Sequence, residues 1–177
     1  MEPSEILIGL AFFGGLFYLI YYTNKKQKER RSAFLGKEGL QEGEEIRLGK
    51  YVHGHPDIDK PSANVTAAFK GDDLVLYFPN QNGDRLPQAR GTIKKAFVKN
   101  ITIEDASTIE KRVTAGRLLA VGVFAFAMKK TEKTELAYLI IAWNDGRFEH
   151  ETIFETQQYG AMELANIARN ALIKGLR

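Results

Sequence analysis

The chain has 177 residues, no cysteine and a formal net charge of +3 at neutral pH. The lack of cysteine excludes disulfides, thiol nucleophiles and zinc–thiolate sites. Residues 1–38 hold six Lys or Arg and four Asp or Glu, whereas the other 139 residues hold 19 and 18. Because that larger part has almost no basic excess, we expect no nucleic acid among its partners.

Residues 6–22 form a run of 17 residues without a charged side chain. As a helix this run is about 25 Å long, close to the thickness of the hydrocarbon core of a bilayer. Aromatic side chains collect near its C-terminal end, as in an interfacial belt. The run predicts a single transmembrane helix within an anchor of residues 1–23. The positions that define the span are Ile6, Leu10, Gly14, Gly15 and Tyr22.

A basic segment follows the run and sets its predicted orientation. Before the run the charged side chains are Glu2 and Glu5, and after it come five cations. Because positive charge favours the cytoplasmic side, we expect a single-pass protein of the plasma or inner membrane, with its N-terminus outside and its C-terminal domain cytoplasmic. The cations would contact anionic headgroups from a juxtamembrane linker of residues 24–43. They are Lys25, Lys26, Lys28, Arg30 and Arg31.

Two alternatives to this anchor are a cleaved signal peptide and a buried core helix. A signal peptide would have a basic start and small residues at a cleavage site, but this chain starts with acidic residues and the run ends in two tyrosines. A buried core helix is disfavoured because the run is apolar on every side, lies at the start of the sequence and is followed by a basic cluster. The transmembrane interpretation is therefore the favoured one.

From Glu44 onward the pattern becomes that of β-strands, within a soluble domain of residues 44–177. Alternating apolar residues predict half-buried strands. The strands are expected near residues 46–52, 65–69, 74–78, 96–103, 136–143 and 147–154. Residues 71–73 and the pair Asp145-Gly146 predict tight turns, and residues 79–91 predict a loop.

The end of the chain predicts a helix. Thr156 is a suitable cap for its start, and Gly175 for its end. An apolar stripe at helical spacing comprises Leu164, Ala168, Ala171 and Leu172. Six or seven strands followed by one helix predict a mainly β (α+β) domain, a bent antiparallel sheet or partly open barrel capped by the helix.

Residues 118–128 form an 11-residue apolar run that is too short to span a bilayer. One interpretation is buried core. The other is a loop that dips into the membrane or docks on a partner's helix. In that case the residues in contact with partner or lipid would be Leu118, Leu119, Val123, Phe124 and Phe126.

Several features of residues 100–175 occur in a familiar succession: Arg117-Leu118, the Gly- and Ala-rich run to Met128, the strand to Trp143, the Asp145-Gly146 turn, and Phe154-Glu155 before a helix. In this succession the chain resembles bacterial pleckstrin-homology-like (PH-like) domains. The resemblance implies two roughly orthogonal antiparallel sheets of seven strands, closed by a C-terminal helix. It also implies a binding or scaffolding module. It does not imply a phosphoinositide site, because residues 55–62 contain two aspartates and only one lysine.

One pattern suggests catalytic chemistry. If extended, His53, His55 and Asp57 point to one side, as metal ligands could. A metallo-hydrolase needs further histidines, and only His150 remains in the chain. There is no phosphate-binding loop and no GxSxG nucleophile motif in the sequence. We therefore expect no catalytic residue, metal, cofactor or small-molecule substrate.

Together these features predict a membrane-anchored, non-enzymatic scaffold, an accessory or assembly subunit of a membrane protein complex. Its expected partners are the membrane, anionic lipid and other membrane protein subunits. The alternative is a module that binds lipid headgroups or transports lipid at the membrane surface. An enzyme with an unrecognised site, sensitive to replacement of His53 or His55, is a third hypothesis.

Overall fold

A computed structural model of the protein describes residues 3–80, 86–105, 107–109, 136–157 and 160–177. For residues 3–14 it describes the backbone alone. The chain divides into two compact units, Met1–Glu42 and Gly43–Arg177. The first unit is helical and the second contains a β-sheet.

The first unit is built on one helix, α1 (Pro3–Glu38). The segment predicted as a linker from residue 24 is therefore helical as far as Glu38, because Lys, Gln, Arg, Glu, Ala and Leu predominate there and all favour helix. The helix ends where the Leu40 N–H donates to the Leu35 carbonyl, at 2.9 Å, and Gly39 takes φ 68°. Over the described residues, no helix combines the length and the apolarity needed to cross a bilayer.

The described part of the second unit contains seven strands and a terminal helix. The strands are β1 (Ile46–His53), β2 (Ser62–Lys70), β3 (Asp73–Phe78), β4 (Gln88–Lys94), β5 (Val98–Asp105), β6 (Leu136–Asn144) and β7 (Glu149–Gln157), and the helix is α2 (Ala161–Leu176). The seven strands form one antiparallel sheet in the order β4-β3-β2-β1-β7-β6-β5. The predicted mainly β domain with a C-terminal helix is confirmed.

Strand β1 joins the two halves of the sheet, because it pairs with β2 on one side and with β7 on the other. Its register shifts on both sides of Gly49, and again between Tyr51 and His53, so the strand bends. Gly49 has φ 93°, and a Cβ there would lie 2.6 Å from the carbonyl oxygen of Glu155 in β7. Gly54, with φ 106°, approaches the Glu151 carbonyl even more closely. Glycine is required at both positions for β1 to lie this close to β7.

The main core lies on one face of the sheet and is covered by α2. The ring of Tyr51 meets Phe78 and Phe154 edge-on, with centroids 5.5 and 5.9 Å apart. Other buried members are Leu48, Leu74, Leu76, Ile93, Leu139, Ile141, Ala168 and Leu172.

A second buried cluster lies on the opposite face of β1, β6 and β7. It comprises Val52, Ile109, Tyr138, Ile140 and Ile153. Because successive side chains of a strand point to opposite faces, both faces of β6 are buried. This explains why residues 136–143 are apolar almost without interruption rather than alternating with polar residues.

The predicted boundaries in the middle of the chain need two corrections. The loop predicted to reach residue 91 ends earlier, because β4 starts at Gln88. The strand predicted from residue 96 starts at Val98, because Lys95–Phe97 forms one turn of 3-10 helix. This short turn is the whole connection between β4 and β5, the two edge strands of the sheet.

The ends of α2 also differ from the prediction. Gly160, with φ 79°, occupies the N-cap, and Thr156 instead lies in β7. Gly175 does not end the helix, which continues to Leu176. Its lack of a side chain serves packing, since a Cβ at this position would overlap the ring of Phe69.

The predicted apolar stripe of α2 is partly correct. Ala168 and Leu172 are buried and Ala171 packs against the core, but Leu164 is 43% exposed. The buried face instead includes Ala161 and Ala165. These small side chains allow the first turns of α2 to approach β5 and β6, where Ile103 and Ala137 belong to the same cluster.

The bend in β1 can be tested with two alanine substitutions. Gly49→Ala combines an unfavourable φ with a clash against a backbone carbonyl, so we expect a loss of about 3 kcal/mol in the free energy of unfolding. The control Gly71→Ala has φ 57° but open space around it, so it should cost about 1 kcal/mol. Denaturant unfolding in mild detergent, followed by the fluorescence of Trp143, measures both. Equal losses in the two variants would contradict this explanation of the bend.

Candidate functional site

Three ring side chains meet at the end of β6 and form a cluster of two imidazoles and one indole. The Trp143 ring lies 5.3 Å from the His55 ring and 4.5 Å from the His150 ring, centroid to centroid. His150 is opposite Trp143 in the β6–β7 ladder, and His55 follows the end of β1. The Trp143 Nε1–H donates to the Thr152 hydroxyl at 2.9 Å. The polar group of the indole is thus satisfied inside the core.

His55 is buried as a neutral imidazole. Its Nδ1 accepts the Asp57 backbone N–H at 3.2 Å, so the proton is on Nε2, which lies 3.3 Å from the Thr92 carbonyl oxygen. Burial lowers the pKa of His55, and the charge of His150 acts in the same direction; the Thr92 carbonyl and Asp57 oppose the shift. Both ring nitrogens of His55 are therefore used to hold the chain between β1 and β2.

Tyr51 reinforces the same segment. Its hydroxyl donates to the Ile58 carbonyl and accepts the His55 backbone N–H, each at 3.0 Å. Burial raises the pKa of Tyr51, so the hydroxyl stays protonated and keeps its role as donor. The segment after β1 is held by hydrogen bonds on both of its sides, through Tyr51 and through Thr92 of β4.

The His53–His55–Asp57 pattern is not assembled as a ligand set. His53 belongs to β1, and both nitrogens of the His55 ring are engaged with the backbone. The Asp57 carboxylate is largely exposed and lies 3.9 Å from His55 Nδ1. In the part of the chain that the structure covers, no three His, Asp or Glu residues are grouped so that they could hold a metal ion.

A well-ordered turn, residues 144–148, connects β6 to β7 next to the ring cluster. The Asp145 carboxylate accepts the backbone N–H groups of Arg147 and Phe148, each at 2.7 Å, and its other oxygen lies 2.9 Å from His150 Nε2. The bond to His150, and then the two N–H groups, hold the pKa of Asp145 well below its usual range. Asp145 therefore remains an ionised acceptor at physiological pH.

The same turn holds one large apolar side chain in solvent. Phe148 is 67% exposed, although its N–H is bound by Asp145 and its carbonyl accepts the Asp145 N–H at 3.2 Å. The sequence predicts Phe148 inside a strand of residues 147–154. The strand begins at Glu149, so Phe148 belongs to the turn instead.

A buried carboxylate joins three adjacent strands, β1, β7 and β6, on the face opposite the main core. Glu155 of β7 has a side chain that is 1% exposed, with Lys50 Nζ 3.4 Å from one oxygen and the Tyr138 hydroxyl donating to the other at 3.1 Å. Burial and the neighbouring carboxylate raise the pKa of Tyr138 well above its usual range. These contacts tie β1, β6 and β7 together, which is a structural role.

The residues predicted for membrane contact lie along α1. Residues 16–22, including Tyr22 of the predicted span, are between 47 and 71% exposed. Beyond the backbone of its own helix and its chain neighbours, a Cβ added at Gly15 would meet no atom within 4 Å. For Ile6, Leu10 and Gly14 the structure describes the backbone alone. The cations are exposed on the same helix: Lys25, Lys26, Lys28, Arg30 and Arg31. Arg31 also pairs with Glu42 at 3.4 Å.

The apolar residues 118–128 lie outside the described residues, and with them Leu118, Leu119, Val123, Phe124 and Phe126. The two interpretations of that run stay as predicted. Sequence reasoning did not find the cluster of His55, Trp143 and His150, nor the exposed Phe148. The one signal in the sequence for the exposed Phe148 was Asn144-Asp145-Gly146. The Asn144 side-chain oxygen accepts the Gly146 N–H, and an Asp145 oxygen accepts the Phe148 N–H, which extends the turn past Phe148.

The chain matches no protein-family model, and neither a curated protein nor a solved structure is detectably similar to it.

The neutral state of His55 gives a testable pH dependence. Its folded pKa lies below the unfolded value of 6.5, so the unfolded chain binds more protons and folding stability falls as pH drops below 6.5. His55→Gln should lose this part of the pH dependence, whereas the control His53→Gln should keep it. Denaturant unfolding above and below pH 6.5, followed by Trp143 fluorescence, makes the comparison. The same pH dependence in wild type and His55→Gln would show that His55 is not the group responsible.

Proposed function

We propose that this chain is a membrane-anchored, non-enzymatic binding or scaffold module, with α1 as the anchor of a PH-like β domain. The observation that carries the proposal is the exposure of residues 16–22 of α1. Seven consecutive residues cover every face of a helix, and here all seven are apolar or aromatic. Burying one such large side chain is worth about 1.5–3 kcal/mol, so a surface of this kind needs a cover.

Lipid suits this surface better than water does. In the sequence, residues 16–22 continue an uncharged run that starts at residue 6. The rings of Tyr18 and Tyr22 stack 6.3 Å apart near the end of the run, where an interfacial belt would lie. The Thr23 hydroxyl donates to the Ile20 carbonyl at 2.9 Å, which satisfies this polar group within the helix.

The cations that follow the run support one orientation. Residues 25–31 carry five positive charges directly after Thr23, and no Lys or Arg precedes the run. By the positive-inside rule the N-terminus would be outside and the β domain in the cytoplasm. The same charges would attract anionic headgroups, each by about 1 kcal/mol near the surface.

Two features of the second unit support a PH-like binding role rather than catalysis. The count of seven antiparallel strands and the terminal helix are those that the resemblance implies, although the strands form one sheet and not two. The buried polar groups are engaged in holding strands: His55 with Thr92 and Asp57, and Glu155 with Tyr138. A domain held at the membrane by a helix has a raised effective concentration near membrane proteins. We therefore infer an accessory or assembly subunit of a membrane protein complex.

The anchor can be tested with charged substitutions in α1. Leu16→Arg combined with Ile20→Arg places two cations in the run, at a cost of about 2.5–3.5 kcal/mol each on insertion scales. We expect this variant to leave the membrane fraction on alkaline extraction, while the wild type stays. Ile167→Arg is the control, because Ile167 is an apolar side chain in α2 that is at least as exposed as Leu16 and Ile20.

Retention of the double variant in the membrane at the wild-type level would contradict the anchor. Loss of the Ile167→Arg control together with the double variant would instead assign membrane attachment to the β domain.

A further inference from the structure

The turn of residues 144–148 holds an exposed phenyl ring in a fixed backbone. Four hydrogen bonds hold this backbone, from the N–H groups of Asp145, Gly146, Arg147 and Phe148. Ordering a turn costs conformational entropy. Because Phe148 is 67% exposed, its burial within the described residues does not offset that cost. An interaction partner would provide that burial.

The two carboxylates at this turn are engaged by partners, whereas one cation is not. The Asp145 carboxylate is already bonded to two N–H groups and to His150, and Glu149 pairs with Lys99. Arg147 is exposed and makes no ion pair or hydrogen bond through its guanidinium with any residue that the structure describes. The turn therefore offers an exposed cation beside an exposed aromatic ring.

A second aromatic side chain emerges at the same end of the sheet. Val98, the first residue of β5, pairs with Trp143, which lies directly before the turn. Phe97 precedes Val98 in the chain and is 37% exposed. Two rings and a cation at one end of the sheet form a small surface, which we call the aromatic tip: Phe97, Arg147 and Phe148.

We propose that the aromatic tip is a second contact with the membrane, in which Phe148 enters the boundary between headgroups and acyl chains and Arg147 pairs with an anionic lipid phosphate. Aromatic rings favour this boundary, and guanidinium groups bind phosphate in a bidentate manner. A protein partner is less suited to this surface. A stable protein interface buries about 800 Å² on each side, whereas the aromatic tip consists of one turn and the adjacent Phe97.

The inference rests on the proposed function, since α1 must keep the domain near lipid. From Tyr22 to Glu38 the helix extends for 16 residues, which is about 24 Å. The second unit starts at Gly43, a few residues later. The β domain is thereby confined to a layer next to the headgroups, where a weak contact through the tip can form repeatedly.

The test uses the full chain reconstituted in phospholipid bilayers. Because the protein has no cysteine, Phe148→Cys gives a single site for an environment-sensitive fluorophore, and Ile167→Cys in α2 gives a matched exposed control. The readout is quenching by nitroxide-labelled phospholipid, in phosphatidylcholine alone and mixed with phosphatidylglycerol. We expect quenching at position 148 to be several-fold stronger than at 167, to increase with phosphatidylglycerol, and to fall when Arg147→Glu is added.

Equal, weak quenching at both positions in a chain that co-floats with the bilayers would overturn the tip contact and leave the anchor intact. Strong quenching that ignores both phosphatidylglycerol and Arg147→Glu would overturn the pairing with anionic phosphate. Failure of the wild-type chain to co-float would overturn the anchor and the tip together. Trp143 fluorescence at the wild-type wavelength verifies that each labelled variant is folded.

Discussion

Strand β1 runs past β7 at a separation that leaves no space for a side chain at Gly49 or Gly54. The backbone of β1 bends there and pairs with β2 on one side and β7 on the other, so seven strands form one sheet around a shared core. The aromatic centre of that core, Tyr51 with Phe78 and Phe154, includes strands from both halves. The continuity of the sheet thus depends on backbone contact that glycine alone permits.

The bend also determines what lies at the end of the sheet. It directs the chain after β1 over β4, where the His55 ring bonds to the Thr92 carbonyl and contacts Trp143. Trp143 in turn contacts His150, which binds the carboxylate that orders the β6–β7 turn. Each imidazole in this succession holds backbone or a carboxylate. Both imidazoles therefore stabilise the chain segments at this end of the sheet.

The sequence predicted the parts of the fold that local patterns determine. Alternating residues located most strands, and Asp145-Gly146 located the last hairpin, because period and turn chemistry are local properties. The predicted start of β4, cap of α2 and role of Gly175 were wrong. The role of Gly175 depends on Phe69, which is distant in the chain, so no local pattern could reveal it. His55 and Trp143 meet only through the bend in β1, so no spacing in the sequence could reveal their contact. The start of β7 was predicted two residues too early, because hydrogen bonds from the Arg147 and Phe148 N–H groups to the Asp145 carboxylate extend the turn past Phe148.

We propose that lipid covers the apolar surface of α1 at residues 16–22 on all sides. Single cysteines at each of these positions, labelled with a nitroxide in the full chain within native-like bilayers, report the access of oxygen, which dissolves in lipid, and of a water-soluble nickel complex. The account predicts high oxygen access and low nickel access at all seven positions, without helical periodicity. Oxygen access that alternates with a period of 3.6 residues would place a protein partner on one face. High nickel access along the whole segment would place it in water and contradict the account.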